Sequence, residues 1–149
     1  MIDPHAIVAA GAQLAADVEV GPFSIIGPNV VVGAGTWIGT HVVLKGHTTL
    51  GRDNKIFQFA SIGEAPQDKK YAGEPTRLVV GDRNEISEYC TMSCGTAADE
   101  GVTRVGDDNL FMAYTHVAHD CVIGNHAIVV NLAQIAGHVE IGDWVILSG

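Results

Sequence analysis

The chain has little charge and few rings. Of its 149 residues 17% are charged and 6% aromatic, and 8 basic side chains face 17 acidic ones for a net charge of −9. So few cations exclude a nucleic-acid binder, which needs a basic stripe against phosphate. No window approaches the ~18 uninterrupted apolar residues of a membrane span, so no membrane insertion is expected. Met1-Ile2-Asp3-Pro4-His5 lacks a basic region leading into an apolar one, and no secretory leader is read there. Cysteine is also scarce: three residues, an odd number, fit a reducing compartment better than a disulfide scaffold. What the chain does have is apolar residues, at 47%, which excludes a disordered polymer. It also has 18 glycines, without a collagen period or a linker-like tract. A chain of this length normally forms one domain with a sizeable core, taken here as residues 1–149.

The glycines follow a period of six. Ile2, Val8, Leu14, Val20, Ile26, Val32, Ile38, Leu44, Leu50, Ile56 and Ile62 are aliphatic in one unbroken phase. The phase returns at Val80, Ile86 and Met92, and again, shifted by one residue, from Val105 to Leu147. Ten of the 18 glycines directly follow one of these positions. The residue two before each aliphatic is usually small, as at Ala6, Ser24, Thr36, Ala60, Cys90, Thr115 and Cys121. Residues two apart share a side of an extended segment, so the small and aliphatic residues face one interior. Pro4, Pro22 and Pro28 share the slot two after the aliphatic, which suits a corner and would break a helix. Each hexad is therefore one short strand and one corner, and the chain coils into a solenoid. Cys90 and Cys121 fall in the small interior slot and read as core fillers, and Cys90-x-x-x-Cys94 alone does not make a metal site.

This repeat resembles that of the hexapeptide-repeat acyltransferases. The resemblance implies an all-β fold, a left-handed parallel β-helix with three hexads per coil. About seven coils result, stacked at ~4.8 Å per layer into a prism of roughly 34 Å.

Two segments break the period, at about 64–78 and 97–104, and function concentrates where loops escape the stacking. The first carries Lys69, Lys70 and Arg77, three of the eight basic residues, an island suited to an anionic group or else a solvated loop tip. The second is rich in Ala, Asp, Glu and Gly and reads as a bland spacer. Of the seven histidines, His41, His47, His126 and His138 occupy the slot three after the aliphatic, an outward corner. Thr115-His116-Val117-Ala118-His119-Asp120-Cys121 is different, because two imidazoles and a carboxylate fall within six residues at non-interior slots. With coils of 18 residues, Asp120 should stack on His138 and His119 on Gly137. A histidine beside a carboxylate can act as a general base near neutral pH.

Gln58-Phe-Ala-Ser-Ile-Gly-Glu64, Gln67-Asp-Lys-Lys-Tyr-Ala-Gly-Glu-Pro-Thr-Arg77, His116-Val-Ala-His-Asp-Cys-Val-Ile-Gly-Asn125 and Ala136-Gly-His-Val139 are similar to segments of the UDP-N-acetylglucosamine O-acyltransferases, which carry out the first step of lipid A synthesis in Gram-negative bacteria. The resemblance implies a cytoplasmic homotrimer that moves an (R)-3-hydroxyacyl chain from acyl carrier protein to the glucosamine 3-hydroxyl of UDP-N-acetylglucosamine. His119 matches the general base, Asp120 the group that orients it, and the Gly137 N–H the oxyanion donor. His116 and His138 match substrate contacts beside the base. Gln67 and Asp68 match ligands of the substrate, Asp68 at the sugar hydroxyls, and Lys70 matches a contact to the nucleotide phosphate. The resemblance implies no metal, no cofactor and no covalent acyl-enzyme.

The family pattern has His-Arg where this chain has Ser93-Cys94, and a second Asn where it has Leu132. It also continues past Gly149 with further coils that set acyl length. A C-terminal helical domain then contacts the nucleotide and the carrier protein. Without those parts the chain is expected to have weak or no activity. Two other readings stay open. A zinc γ-type carbonic anhydrase uses the same solenoid, but its histidine pair is five apart, whereas His116 and His119 are three apart. A non-catalytic trimeric β-helix would form trimers and bind no UDP-sugar.

Overall fold

The computed structural model describes residues 1–148. Strands of mostly two residues stack into three parallel sheets of seven strands each, the walls of a triangular prism, with no helix among the described residues. The first wall contains Ile7–Val8, Ile25–Ile26, Val43–Leu44, Ser61–Glu64, Thr91–Ser93, His116–Val117 and Gln134–Ile135. The second runs from Gln13–Leu14 to Glu140–Ile141, and the third from Glu19–Val20 to Ile146–Leu147. This is the left-handed parallel β-helix, and the expected interior is where the hexads put it. Ile26, Ile38, Leu44, Leu50, Ile56, Ile62, Leu78, Ile86, Phe111 and Val117 are all buried, with Cys90 and Cys121 among them.

Coil arithmetic explains the phase. Ile7 pairs with Ile25 and Ile26 with Leu44, one turn of 18 residues. Ile62 pairs with Met92, 30 residues on, so twelve extra residues leave the hexad in phase. Met92 pairs with Val117, 25 residues on, and seven extra residues produce the shift of one. Both excursions, residues 65–76 and 94–101, leave from the corner that follows the first wall, in successive coils.

Every non-glycine residue with positive φ among the described residues lies three after an interior apolar residue, from Phe23 (62°) to Trp144 (61°), with Phe111 standing in the aliphatic place before Tyr114. His41, His126 and His138 are corner residues as expected, but His47 is not: it opens the strand His47–Leu50. The reason is local, because Gly46 takes the left-handed conformation one residue earlier, at φ 58°. At the corner before the first wall, Phe59, Tyr89 and Tyr114 stack at 5.1 and 4.8 Å, and Leu132 occupies the next rung with φ 67°. A γ-branched side chain is poorly suited to that conformation, which costs a non-glycine residue roughly 1–2 kcal/mol. Leu132 is 66% exposed, so little packing offsets the cost. Leu132→Asn is therefore expected to raise stability by ~0.5–1 kcal/mol, since asparagine tolerates this region. Denaturant unfolding checks it, and an unchanged or lower midpoint would refute it.

Corners also fix which backbone N–H groups are spoken for. The residue after each aliphatic donates to the aliphatic of the next coil, as Gly21 does to Ile38 and Ala118 to Ile135. The residue three after it donates back to the preceding coil, as His41 does to Pro22 and His138 to His119. The slot between them has no backbone acceptor at most corners, which is why proline fits there; Cys94, which donates to the Glu64 carbonyl at 2.9 Å where the excursions leave, is an exception. At the corner after the second wall, side chains take up that N–H. Arg52 donates to Asp82, Asp82 to Asp107, Asp107 to Asn125 and Asn125 to Asp143, each at 2.7 Å. Inside the same edge, buried Asn54, Asn84 and Asn109 form a second ladder. The Nδ2 groups of Asn84 and Asn109 donate to the Oδ1 of the asparagine before at 3.1 and 3.0 Å.

Candidate active site at the first corner

The candidate residues converge because four successive coils turn the same corner. Its first excursion carries Gln67, Asp68 and Lys70; the second follows the Thr91–Ser93 strand; His119 and Asp120 leave the next strand, and Gly137 and His138 the one after.

At the centre is the His119–Asp120 pair. His119 Nδ1 lies 2.9 Å from Asp120 Oδ2, and the neutral ring donates from that nitrogen, leaving Nε2 unprotonated. Asp120 was expected at a non-interior slot, yet its side chain is only 2% exposed. The second excursion covers it. Thr96 donates its N–H to Oδ1 at 2.8 Å and its hydroxyl to Oδ2 at 2.6 Å, and the Asp120 N–H donates to Thr103 Oγ1 at 2.9 Å. Burial alone pushes this carboxyl up, but the Thr96 hydroxyl, the Thr96 N–H and the His119 ring outweigh it and hold it below the usual range. It is an anion at neutral pH. The second excursion is thus no bland spacer: it carries Thr96, and Asp99 Oδ2 also accepts from His138 Nδ1 at 2.8 Å.

Gly137 lies against the His119 ring. A Cβ built there would fall 2.5 Å from Cε1 and 2.7 Å from Nε2 of His119, so the imidazole occupies space only a glycine leaves. Gly137 sits in the slot whose N–H has no ladder acceptor, and among the described residues that N–H has no partner. The His119 and His138 rings meet edge-on at 5.1 Å. His138 Nε2 lies 3.7 Å from Asp120 Oδ2, consistent with the stacking that 18-residue coils predict.

His116 stands on the first wall with Nδ1 2.6 Å from Thr91 Oγ1. Burial, reinforced by the charge of nearby His119, pushes its pKa down, so it is a neutral imidazole at pH 7. Asp68 folds into its own loop, accepting the Lys70 N–H at 2.9 Å. A pocket of about 90 Å³ separates Asp68, Lys70 and Tyr71 from Thr96, Ala97 and Ala98, so the two excursions face each other. Gln67, Lys69, Lys70 and Arg77 are exposed, and none of the three cations is ion-paired among the described residues. Cys94 sits one coil before His119 in the same column, buried, its Sγ donating to the Gly63 carbonyl at 3.4 Å. Burial pushes its thiol up to about 11, so it is no nucleophile at neutral pH.

The Asp120 carboxylate makes stability depend on acid. A depressed folded pKa contributes stability that is present above the unfolded value near 3.8 and lost as pH falls through the folded one. Thr96→Val removes the hydroxyl donor, so the folded pKa rises and the loss begins at higher pH. A stability cost of about 1–3 kcal/mol at pH 7 is expected, because a buried acceptor loses its partner. Urea unfolding of both proteins between pH 3 and 7 checks this, and parallel pH curves would refute it.

Comparison with known proteins places this geometry. The bacterial transferase hexapeptide (six repeats) profile matches residues 103–132. A curated acyl-[acyl-carrier-protein]--UDP-N-acetylglucosamine O-acyltransferase from Albidiferax ferrireducens is 65% identical over 99% of the chain, and its counterpart in Thiobacillus denitrificans is 62% identical over 99%. The chain spans 56% and 57% of those proteins. The crystal structure of the Francisella novicida UDP-N-acetylglucosamine acyltransferase superposes with a TM-score of 0.98 at 44% identity, covering 100% of this chain and 54% of that one. With such identity along nearly its full length and the same coil geometry, the chain belongs to the UDP-N-acetylglucosamine O-acyltransferase family of hexapeptide-repeat proteins.

Proposed function

We propose that the protein transfers an (R)-3-hydroxyacyl chain from acyl carrier protein to the glucosamine 3-hydroxyl of UDP-N-acetylglucosamine, the first step of lipid A synthesis, as a cytoplasmic homotrimer. The observation that carries the chemistry is a single imidazole. His119 is held by a buried carboxylate through Nδ1, with its Cε1–Nε2 edge packed against Gly137, whose N–H has no partner among the described residues. Base and oxyanion donor thus share one small volume, which acyl transfer to an alcohol requires.

In this reading Nε2 of His119 takes the proton of the sugar 3-hydroxyl as that oxygen attacks the thioester carbonyl carbon. The carbonyl π electrons move onto its oxygen, where the Gly137 N–H donates to the developing oxyanion. Collapse of the tetrahedral intermediate breaks the carbon–sulfur bond, and the imidazolium returns its proton to the departing thiolate. Asp120 stabilises the imidazolium, and Thr96 positions Asp120. Attack is direct, because all three cysteines are buried with thiols pushed up by burial. Gln67 and Asp68 face the sugar, Lys70 the nucleotide phosphate, and His116 and His138 flank the base. Lys70 stands on the one cationic island of a chain with net charge −9, which supports an anionic ligand there.

The test is acyl transfer from a series of (R)-3-hydroxyacyl carrier proteins to UDP-N-acetylglucosamine, followed by mass analysis of the product. A 3-O-acylated UDP-sugar is expected, formed slowly by residues 1–149. Trimers that neither bind UDP-N-acetylglucosamine nor turn it over would favour the non-catalytic reading instead.

A further inference from the structure

Asp120 Oδ2 has a second imidazole in reach. His138 Nε2 lies 3.7 Å from it on one side and His119 Nδ1 2.9 Å on the other. These three donor atoms lie within 4.8 Å of one another. A tetrahedral zinc-class ion with ligands at ~2.0–2.1 Å holds its donors about 3.3 Å apart, a value between the two shorter separations. His138 is also oriented as a ligand should be. Its Nδ1 donates to Asp99 at 2.8 Å, which leaves Nε2 unprotonated and aimed at Asp120, the carboxylate–histidine arrangement that supports metal-bound imidazoles. Thr96 fixes the ligating carboxylate in the same manner. A pocket of about 120 Å³ between Asp99, Glu100, Arg104, Asp120, His138 and Glu140 gives an ion and its waters a path from solvent, past three carboxylates and one opposing cation at its rim. The His138 side chain and its Asp99 partner are 52% and 44% exposed, so the hydrogen-bonded pair can shift together by the distance that closes the set.

We propose that His119 Nδ1, Asp120 Oδ2 and His138 Nε2 form a binding site for a divalent first-row metal ion of the zinc class, with water completing the coordination. The ion takes the place of the proton shared by His119 and Asp120. Binding releases that proton to solvent and ties Asp120 to the metal. The inhibitory consequence rests on the acyl-transfer reading, since a metal-bound His119 no longer has the Asp120 anion to stabilise its imidazolium. The site itself does not rest on that reading.

Cobalt(II) is the probe, because its visible absorption reports ligand type and geometry without turnover. Titration of the protein with Co²⁺ is expected to give a saturable d–d band typical of four or five nitrogen and oxygen ligands, which Zn²⁺ abolishes. His138→Ala is expected to remove the band, and Asp99→Asn to weaken Co²⁺ affinity ~10–100-fold, as loss of an outer-shell partner does. A band that survives His138→Ala overturns the proposal, as does a sulfur charge-transfer absorption placing the metal on a cysteine. Metal uptake without acyl transfer would keep the site and remove the enzymatic reading. Acyl transfer without saturable uptake would do the reverse.

Discussion

His119→Ala is expected to lower kcat for acyl transfer ~10²–10⁴-fold, the range a positioned general base supplies. KM for UDP-N-acetylglucosamine should change little, because the proton is removed only on the way to the transition state. Folding should survive, since His119 lies outside the aliphatic interior. The same logic separates the base from its support. Asp120→Asn keeps the imidazole but removes the anion that favours the imidazolium, so the acidic limb of the pH–rate profile should move while His119→Ala abolishes the profile. Steady-state kinetics with an (R)-3-hydroxyacyl carrier protein check both. Near-normal turnover in His119→Ala would remove the imidazole from the chemistry.

Gly137→Ala should be nearly as damaging, for a steric reason. The added methyl would lie 2.5–2.7 Å from the His119 ring, closer than carbon atoms approach, so the ring or the corner must move. Either displacement separates Nε2 from the oxyanion donor, and removing such a donor costs ~10²–10³ in kcat. The coil itself should tolerate alanine, since φ is not in the left-handed region there. Expected, then, is a folded protein with unchanged denaturant midpoint and a rate loss of that size. A rate within tenfold of the parent would mean that the His119–Gly137 approach has no part in the reaction.

Much of the prism was legible because its rule is local. An aliphatic every sixth residue with a small residue two before it names both the interior and the corner, and Ile7↔Ile25 or Val117↔Ile135 follow by counting. Counting also placed His119 against Gly137, since both fall on one column of an 18-residue coil. It failed where the chain leaves the count. Thr96 to Asp120 spans 24 residues and Asp99 to His138 spans 39, and both contacts depend on how an excursion of irregular sequence folds back. Nothing in Ala-Ala-Asp-Glu carries a periodicity that could have signalled it. For the same reason Asp120 looked exposed, because its slot faces outward and only the neighbouring loop buries it. His47 misled differently: a single left-handed glycine before it moved the corner by one residue.

The ladder from Arg52 through Asp82, Asp107 and Asn125 to Asp143 has a direction. Among these side-chain bonds each coil gives an N–H upward and receives none from above, while the backbone N–H one residue on is given downward, as Arg83 gives to Arg52, so the inequality belongs to this column alone. Peeling from the Asp143 side strips an acceptor from every turn still folded beneath, leaving its edge amide uncapped at each step. Within the column, peeling from the Arg52 side removes donors and leaves carboxylates and amides that water satisfies readily. Pulled mechanically from its two ends, such a prism should unzip with different forces, a polarity written into one column of short acidic and amide side chains.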